Sequence, residues 1–223
     1  MSTPTRHGKT REDRAAAARQ AARRRLLVRA TIGIVVVGAI LFGIFRAGRH
    51  SGVTSGGGRY QVGQPATGAD APAIQLASTV GGQFDLASQQ GKTVLLYFQE
   101  GVSCQPCWDQ IRDIEASDVK FKQLGIDEVV SITGNRLTDL RQKVSDESLR
   151  TPVLADPDLA VSKTYHANSF GMMGTGADGH TFIVVGTDGK IRWRADYGGA
   201  PNYTMYVPVD QLVADLRAGL GAK

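Results

Sequence analysis

The sequence predicts an α/β fold, a mixed central sheet flanked by helices, behind an N-terminal transmembrane helix. Three observations carry this. A charge-free stretch, "ATIGIVVVGAILFGIF", runs from Ala30 to Phe45. A continuous apolar run, "TVLLYFQ" at 93–99, is of the kind found in a strand buried on both faces. Beyond it, strand-like and helix-like segments alternate up to a last segment with apolar residues at helical spacing.

The charge is unevenly spread. Residues 1–50 hold 11 Lys/Arg against 2 Asp/Glu, a local +9 within an overall +5, so the rest of the chain is net −4. The basic character therefore belongs to the N-terminus, and the body lacks the basic face interleaved with aromatics that nucleic acid demands; no nucleic-acid partner is expected. Arg23, Arg24, Arg25 and Arg29 crowd the near end of the apolar stretch. With Leu26, Leu27 and Val28 added, it reaches the length of a bilayer span if Arg29 snorkels to the interface. The positive-inside rule puts the N-terminus in the cytoplasm and the remainder outside. No A-x-A cleavage site follows in "RAGRHSG", so the helix is expected to remain as an anchor. The expected organisation is a basic, disordered cytoplasmic tail at 1–25, a transmembrane anchor at 26–46, a flexible Gly/Ser/Pro linker at 47–72, and one domain at 73–223.

Within the domain, Ile74–Ser78 and Gln83–Leu86 read as short strands around a "GG" turn, and Thr93–Gln99 as the buried central strand. "CQPCWDQIRDIEASDVKFKQLG" has helical spacing through Trp108, Ile111, Ile114 and Leu124, with Gly125 as its stop. Glu128–Thr133 is a strand, Leu137–Leu149 a helix, and Asp158 to about Tyr165 a short helix. "HTFIVV" and "KIRWRA" flank the Asp188-Gly189 hairpin signal. Val209, Leu212, Val213, Leu216 and Leu220 mark one face of a terminal helix.

Cys104 and Cys107 are the only cysteines, placed at a strand-to-helix junction in "SCQPCW". Trp108 stands where a C-x-x-C-H haem site requires histidine. A structural zinc site needs further ligands, and a staple over so short a loop removes little unfolded-state entropy. A reversible dithiol/disulfide remains. Positions i and i+3 on a helix lie near enough for a disulfide, and a cysteine at a helix N-terminus has its thiolate stabilised by unpaired N–H groups. Cys104 is therefore the expected attacking thiol and Cys107 the resolving one. Pro106 fits the first turn because it lacks an N–H that would have no partner there. Glu100 is the nearest carboxylate and a candidate for assisting proton transfer.

The order and spacing of a two-strand start, "GKTVLLYFQEGVSCQPCWDQI", "TPVLADPDLAVSKTY" and "HTFIVVGTDGKIRW" resemble the thioredoxin-like superfamily, in particular the redoxin (AhpC/TSA) and TlpA/ResA group, over nearly all of residues 70–220. The resemblance implies a thioredoxin-like fold and a membrane-anchored thiol-disulfide oxidoreductase that exchanges disulfides with partner proteins outside the cytoplasm. It implies no cofactor other than the Cys104–Cys107 disulfide, and no metal. Trp108 and His180 join Glu100 and Pro106 as candidate assisting residues.

The sequence also departs from the family's patterns. Where thioredoxins place a cis-proline, "DGHTF" offers Gly179 or His180. No carboxylate matches the buried thioredoxin aspartate. At the peroxiredoxin positions for proline and threonine stand Tyr97 and Gly101, so a peroxiredoxin-like thiol peroxidase is the second reading, with Arg192 or Arg194 to supply positive charge. A third reading, a Sco-like Cu(I)-binding chaperone, draws on Cys104, Cys107 and His180, with His166, Met172 and Met173 in the same loop.

Overall fold

A computed structural model describes residues 58–221 of the chain. The expected tail, anchor and first part of the linker lie outside the described residues, among which no helix is long and apolar enough to cross a membrane.

The central run forms strand β3 (Val94–Phe98), buried at every position. It pairs in parallel with β4 (Glu128–Thr133) and antiparallel with β6 (Thr181–Val185). Period-2 alternation divides its side chains: Leu95 and Tyr97 enter one apolar cluster, Leu96 and Phe98 the other. With β1 (Gln75–Ser78), β2 (Gln83–Asp85), β5 (Val153–Ala155) and β7 (Ile191–Asp196), the sheet has seven strands in the order β2-β1-β5-β4-β3-β6-β7. The parallel strands occupy its middle and the antiparallel ones its sides.

Helices α1 (Gln105–Ala116), α2 (Asp118–Gln123), α3 (Leu137–Asp146) and α5 (Val209–Leu220) cover the Leu95/Tyr97 face through Trp108, Ile111, Phe121, Leu140 and Leu212. The short α4 (Ala160–Thr164), with Tyr165 and Ala167 after it, lies against the Leu96/Phe98 face. Helical layers on both faces of a mixed sheet make this a thioredoxin-like α/β fold.

Three differences from the sequence reading have local causes. The expected helix through Leu124 is two helices: the chain leaves α-helical geometry at Ser117, whose N–H reaches both the Asp113 and Ile114 carbonyls before α2 restarts. Strand β5 lies within "TPVLADP" and is only three residues long, too short for a periodic signal. The expected flexible linker ends earlier than residue 72. Gln61 exchanges backbone hydrogen bonds with Asp196, and Gly68, Ala69 and Ala71 bond to Ile191 and Gly189, so residues 61–71 run along β7 and its hairpin. Arg194 seals this segment with a buried, two-point ion pair to Asp196 and a hydrogen bond to the Gln64 carbonyl.

Candidate active site

The cysteine pair sits where β3 passes into α1. Phe98, the last residue of β3, faces Thr181, so His180 lies level with the turn that leads to the cysteines. That turn bends at Gly101, with φ +107°. A Cβ there would lie 1.8 Å from Asn135 Oδ1, a contact no side chain could make. The close approach lets Asn135 Oδ1 accept from Val102 N at 3.0 Å and Gln99 Oε1 accept from Gly101 N at 2.6 Å. The Gly101 carbonyl in turn accepts from Cys104 N and from Trp108 Nε1, both at 3.0 Å. Trp108 is thus a fully buried clamp on the turn, with the Lys143 ammonium 5.7 Å from its ring centroid.

Cys104 and Cys107 form a disulfide, with Cα atoms 5.4 Å apart. Cys104 is the N-cap of α1 and its side chain makes no capping bond; Cys107 N donates to the Cys104 carbonyl, and the positive end of the helix dipole is left without a side-chain cap beside the Cys104 sulfur. Pro106, as the second helical residue, removes one donor that had no helical partner. Cys104 is 8% exposed and Cys107 0%, a difference that gives an incoming sulfur access to Cys104 alone. Met205, from the segment between β7 and α5, forms a small apolar cluster with the two cysteines. Met172, Met173 and Tyr203, from the two loops flanking this end, are exposed.

Beneath α1 lies a buried polar chain. Tyr97 Oη is 2.9 Å from His180 Nδ1, His180 Nε2 is 3.2 Å from Gln110 Oε1, and Gln110 Oε1 accepts from Val207 N at 2.7 Å. Because Gln110 Oε1 is an acceptor, His180 carries its proton on Nε2 and accepts the Tyr97 hydroxyl on Nδ1. Burial holds the His180 pKa down at about 3, so the ring stays neutral. It is a support for α1 and not a proton donor at neutral pH.

Glu100 Oε1 accepts from Met172 N at 3.0 Å, tying the 171–180 loop to the turn, and is not bonded to either sulfur. Two buried carboxylates, Asp156 and Asp178, meet at α4. Asp156 Oδ2 accepts from Ser162 N and Oγ, and Ser162 Oγ also stands 2.9 Å from Asp178 Oδ2. A hydroxyl has one hydrogen, which the 2.6 Å contact to Asp156 takes, so the proton toward Asp178 belongs to Asp178 itself. Burial, with the neighbouring Asp156 charge, raises the Asp178 pKa to about 8.

The other sequence candidates are dispersed. Arg192 pairs with Asp188 at the hairpin end of the sheet, and Arg194 is consumed by its ion pair with Asp196. Among the described residues no group of three His, Cys, Asp or Glu side chains converges as a metal site, and both ring nitrogens of His180 are engaged. Gln110, Met205, Gln99 and Asn135 were not foreseen. Gln110 alone had a signal: a polar residue on the otherwise apolar stripe of Cys107, Ile111 and Ile114.

A thioredoxin-like fold with a two-cysteine disulfide at the N-terminus of its first long helix defines a dithiol/disulfide redox protein. The AhpC/TSA family model matches residues 67–194, and the chain belongs to that family; it is a thiol-based oxidoreductase. Its fold is similar to peroxidoxin BcpB from Mycobacterium tuberculosis, with a TM-score of 0.57 at 18% identity over 69% of this chain and 97% of that one. It is also similar to Enterococcus faecalis AhpC, with a TM-score of 0.57 at 14% identity over 69% and 90%. For the Xanthomonas campestris bacterioferritin comigratory protein the TM-score is 0.53, at 15% identity over 66% and 92%. No curated protein matches the chain.

Proposed function

We propose that the protein is a membrane-tethered thiol-disulfide oxidoreductase that exchanges disulfides with partner proteins outside the cytoplasm. The observation that carries this is the asymmetric pair: Cys104 at the open N-terminus of α1 and Cys107 one turn deeper, already joined as a disulfide. In the reducing direction, the Cys104 thiolate attacks one sulfur of the partner's disulfide. That S–S bond breaks, the departing partner thiolate takes up a proton, and Cys104 is left in a mixed disulfide. Cys107, deprotonated, then attacks Cys104 Sγ, the mixed S–S bond breaks, and the partner leaves as a dithiol carrying the two electrons. Run backward, the same steps oxidise a partner.

The tether rests on the charge-free run at 30–45 flanked by arginines, with the positive end inside. The family's peroxidase chemistry is the competing activity. Against it stands the turn at Gly101, where the approach of Asn135 leaves no room for the threonine of the peroxidatic pattern, and the engagement of Arg192 and Arg194 in ion pairs with Asp188 and Asp196.

The test is a pair of variants of the full chain. Cys107→Ser accumulates a mixed disulfide between Cys104 and a disulfide-bonded test protein, and Cys104→Ser forms none. A Cys104→Ser variant with undiminished exchange overturns the proposal.

A further inference from the structure

Gln110 is fully buried, one helical turn beyond Cys107, and its two amide atoms are treated differently. Its Oε1 accepts from both Val207 N and His180 Nε2, which fixes which way the carboxamide faces, while its Nε2 has no partner. An unpaired buried donor is costly, about 1–3 kcal/mol, and such groups are few in native proteins. Helical side chains lean toward the preceding turn, so Gln110 leans toward Cys107, its i−3 neighbour. In the oxidised protein the Cys107 sulfur is committed to Cys104, and among the described residues no hydrogen bond reaches either sulfur.

Resting on the exchange reading above, we propose that Gln110 is the positioning residue of the resolving step, its Nε2–H group donating a hydrogen bond to the Cys107 sulfur once the disulfide opens. The step needs such a donor. Cys107 is buried against Met205, and an apolar site disfavours a thiolate. The titratable groups of the neighbouring elements supply it no positive charge. Tyr97, from β3, is kept protonated by burial, and His180, ahead of β6, is neutral. Glu100, after β3, is spent on Met172 N, and Tyr206, from the segment beside Met205, is bonded to Asp113 on α1. The amide supplies polar stabilisation without adding a buried charge. Because Gln110 Oε1 also holds Val207, the residue that meets the new thiolate is the one that holds the Met205 segment over it.

The two roles predict opposite signs. In the full-length chain carrying Cys104→Ser, Gln110→Met removes the donor and also frees Val207. Loss of the donor raises the apparent pKa of Cys107, read from thiolate absorbance against pH, by about one unit, which is tenfold less thiolate at a given pH. Loss of an anchor alone lets water reach Cys107, leaving its pKa unchanged or lower; that result overturns the inference. In the chain with both cysteines, Gln110→Met slows decay of the mixed disulfide about tenfold and leaves its formation by Cys104 unaffected. A second measurement needs no variant at Gln110: in the reduced, isotope-labelled Cys104→Ser chain, the Gln110 side-chain amide resonances shift with the titration of Cys107, and resonances that stay fixed refute the contact. Absence of a trapped mixed disulfide in the Cys107→Ser chain would instead condemn the exchange reading.

Discussion

Gly101 is the most constrained residue of the turn before the cysteines. Its φ of +107° is open to glycine, and a methyl group there would occupy the position of Asn135 Oδ1. Gly101→Ala is expected to lower stability by roughly 2–4 kcal/mol and to shift Cys104, whose N–H hangs on the Gly101 carbonyl. Denaturant unfolding and single-turnover exchange measure the two effects. Asp178 carries the clearest pH dependence. Unfolded, its carboxyl titrates near 3.8; folded, it holds its proton to about pH 8. The native state binds the extra proton between those values, so this group's contribution to stability is full below about pH 4 and is lost as pH rises toward 8. Asp178→Asn presents an amide N–H to Ser162 Oγ in place of the acid proton. Its melting temperature should exceed that of the parent at pH 8 and approach it at pH 5, by roughly 2–4 °C per kcal/mol regained.

At the scale of elements, α1 does most to define the site, and its face was largely legible. Trp108, Ile111 and Ile114 have helical spacing in the sequence and pack as one stripe, and Cys104 and Pro106 occupy the first-turn positions their chemistry predicts. What was hidden came from elsewhere in the chain. Met205 reaches the disulfide from the segment after β7, and nothing in "NYTMYVP" has a period or a partner in sequence to indicate it. The break at Ser117 was also hidden, because the apolar spacing of Phe121 and Leu124 continues across it. Met205→Ala should uncover the pair and speed reduction of the disulfide by a small thiol several-fold; unchanged kinetics would show that Met205 does not limit access. At the far end of the sheet, α5 meets β7 through Gly219, where a Cβ would stand 2.0 Å from Trp193 Cδ1. Gly219→Ala forces the buried Trp193 to move, at a cost of about 1–3 kcal/mol by thermal melting, despite the better helix propensity of alanine.

For the molecule as a whole, the α/β class followed from "TVLLYFQ" and the hairpin at Asp188-Gly189, because a strand buried on both faces and a tight turn are local signals. The position of residues 61–71 on β7 did not, since a Gly- and Pro-rich segment that pairs through its backbone looks like a linker. The proposed topology puts the cysteine pair on the outer side of the membrane. After mild reduction of intact cells, a membrane-impermeant maleimide should label the chain at Cys104; labelling only after permeabilisation would reverse the orientation.

The central claim is that the pair exchanges disulfides with proteins in preference to reducing peroxide. The most direct measurement mixes the reduced full-length chain with a disulfide-bonded unfolded protein in one stopped-flow channel and with hydrogen peroxide in another, followed by the fluorescence of Trp108 beside Cys107. The account predicts stoichiometric two-electron transfer to the protein disulfide, ending in the Cys104–Cys107 bond, at a rate well above oxidation by peroxide. Rapid sulfenate formation at Cys104 with peroxide, together with no transfer to the protein disulfide, would contradict it.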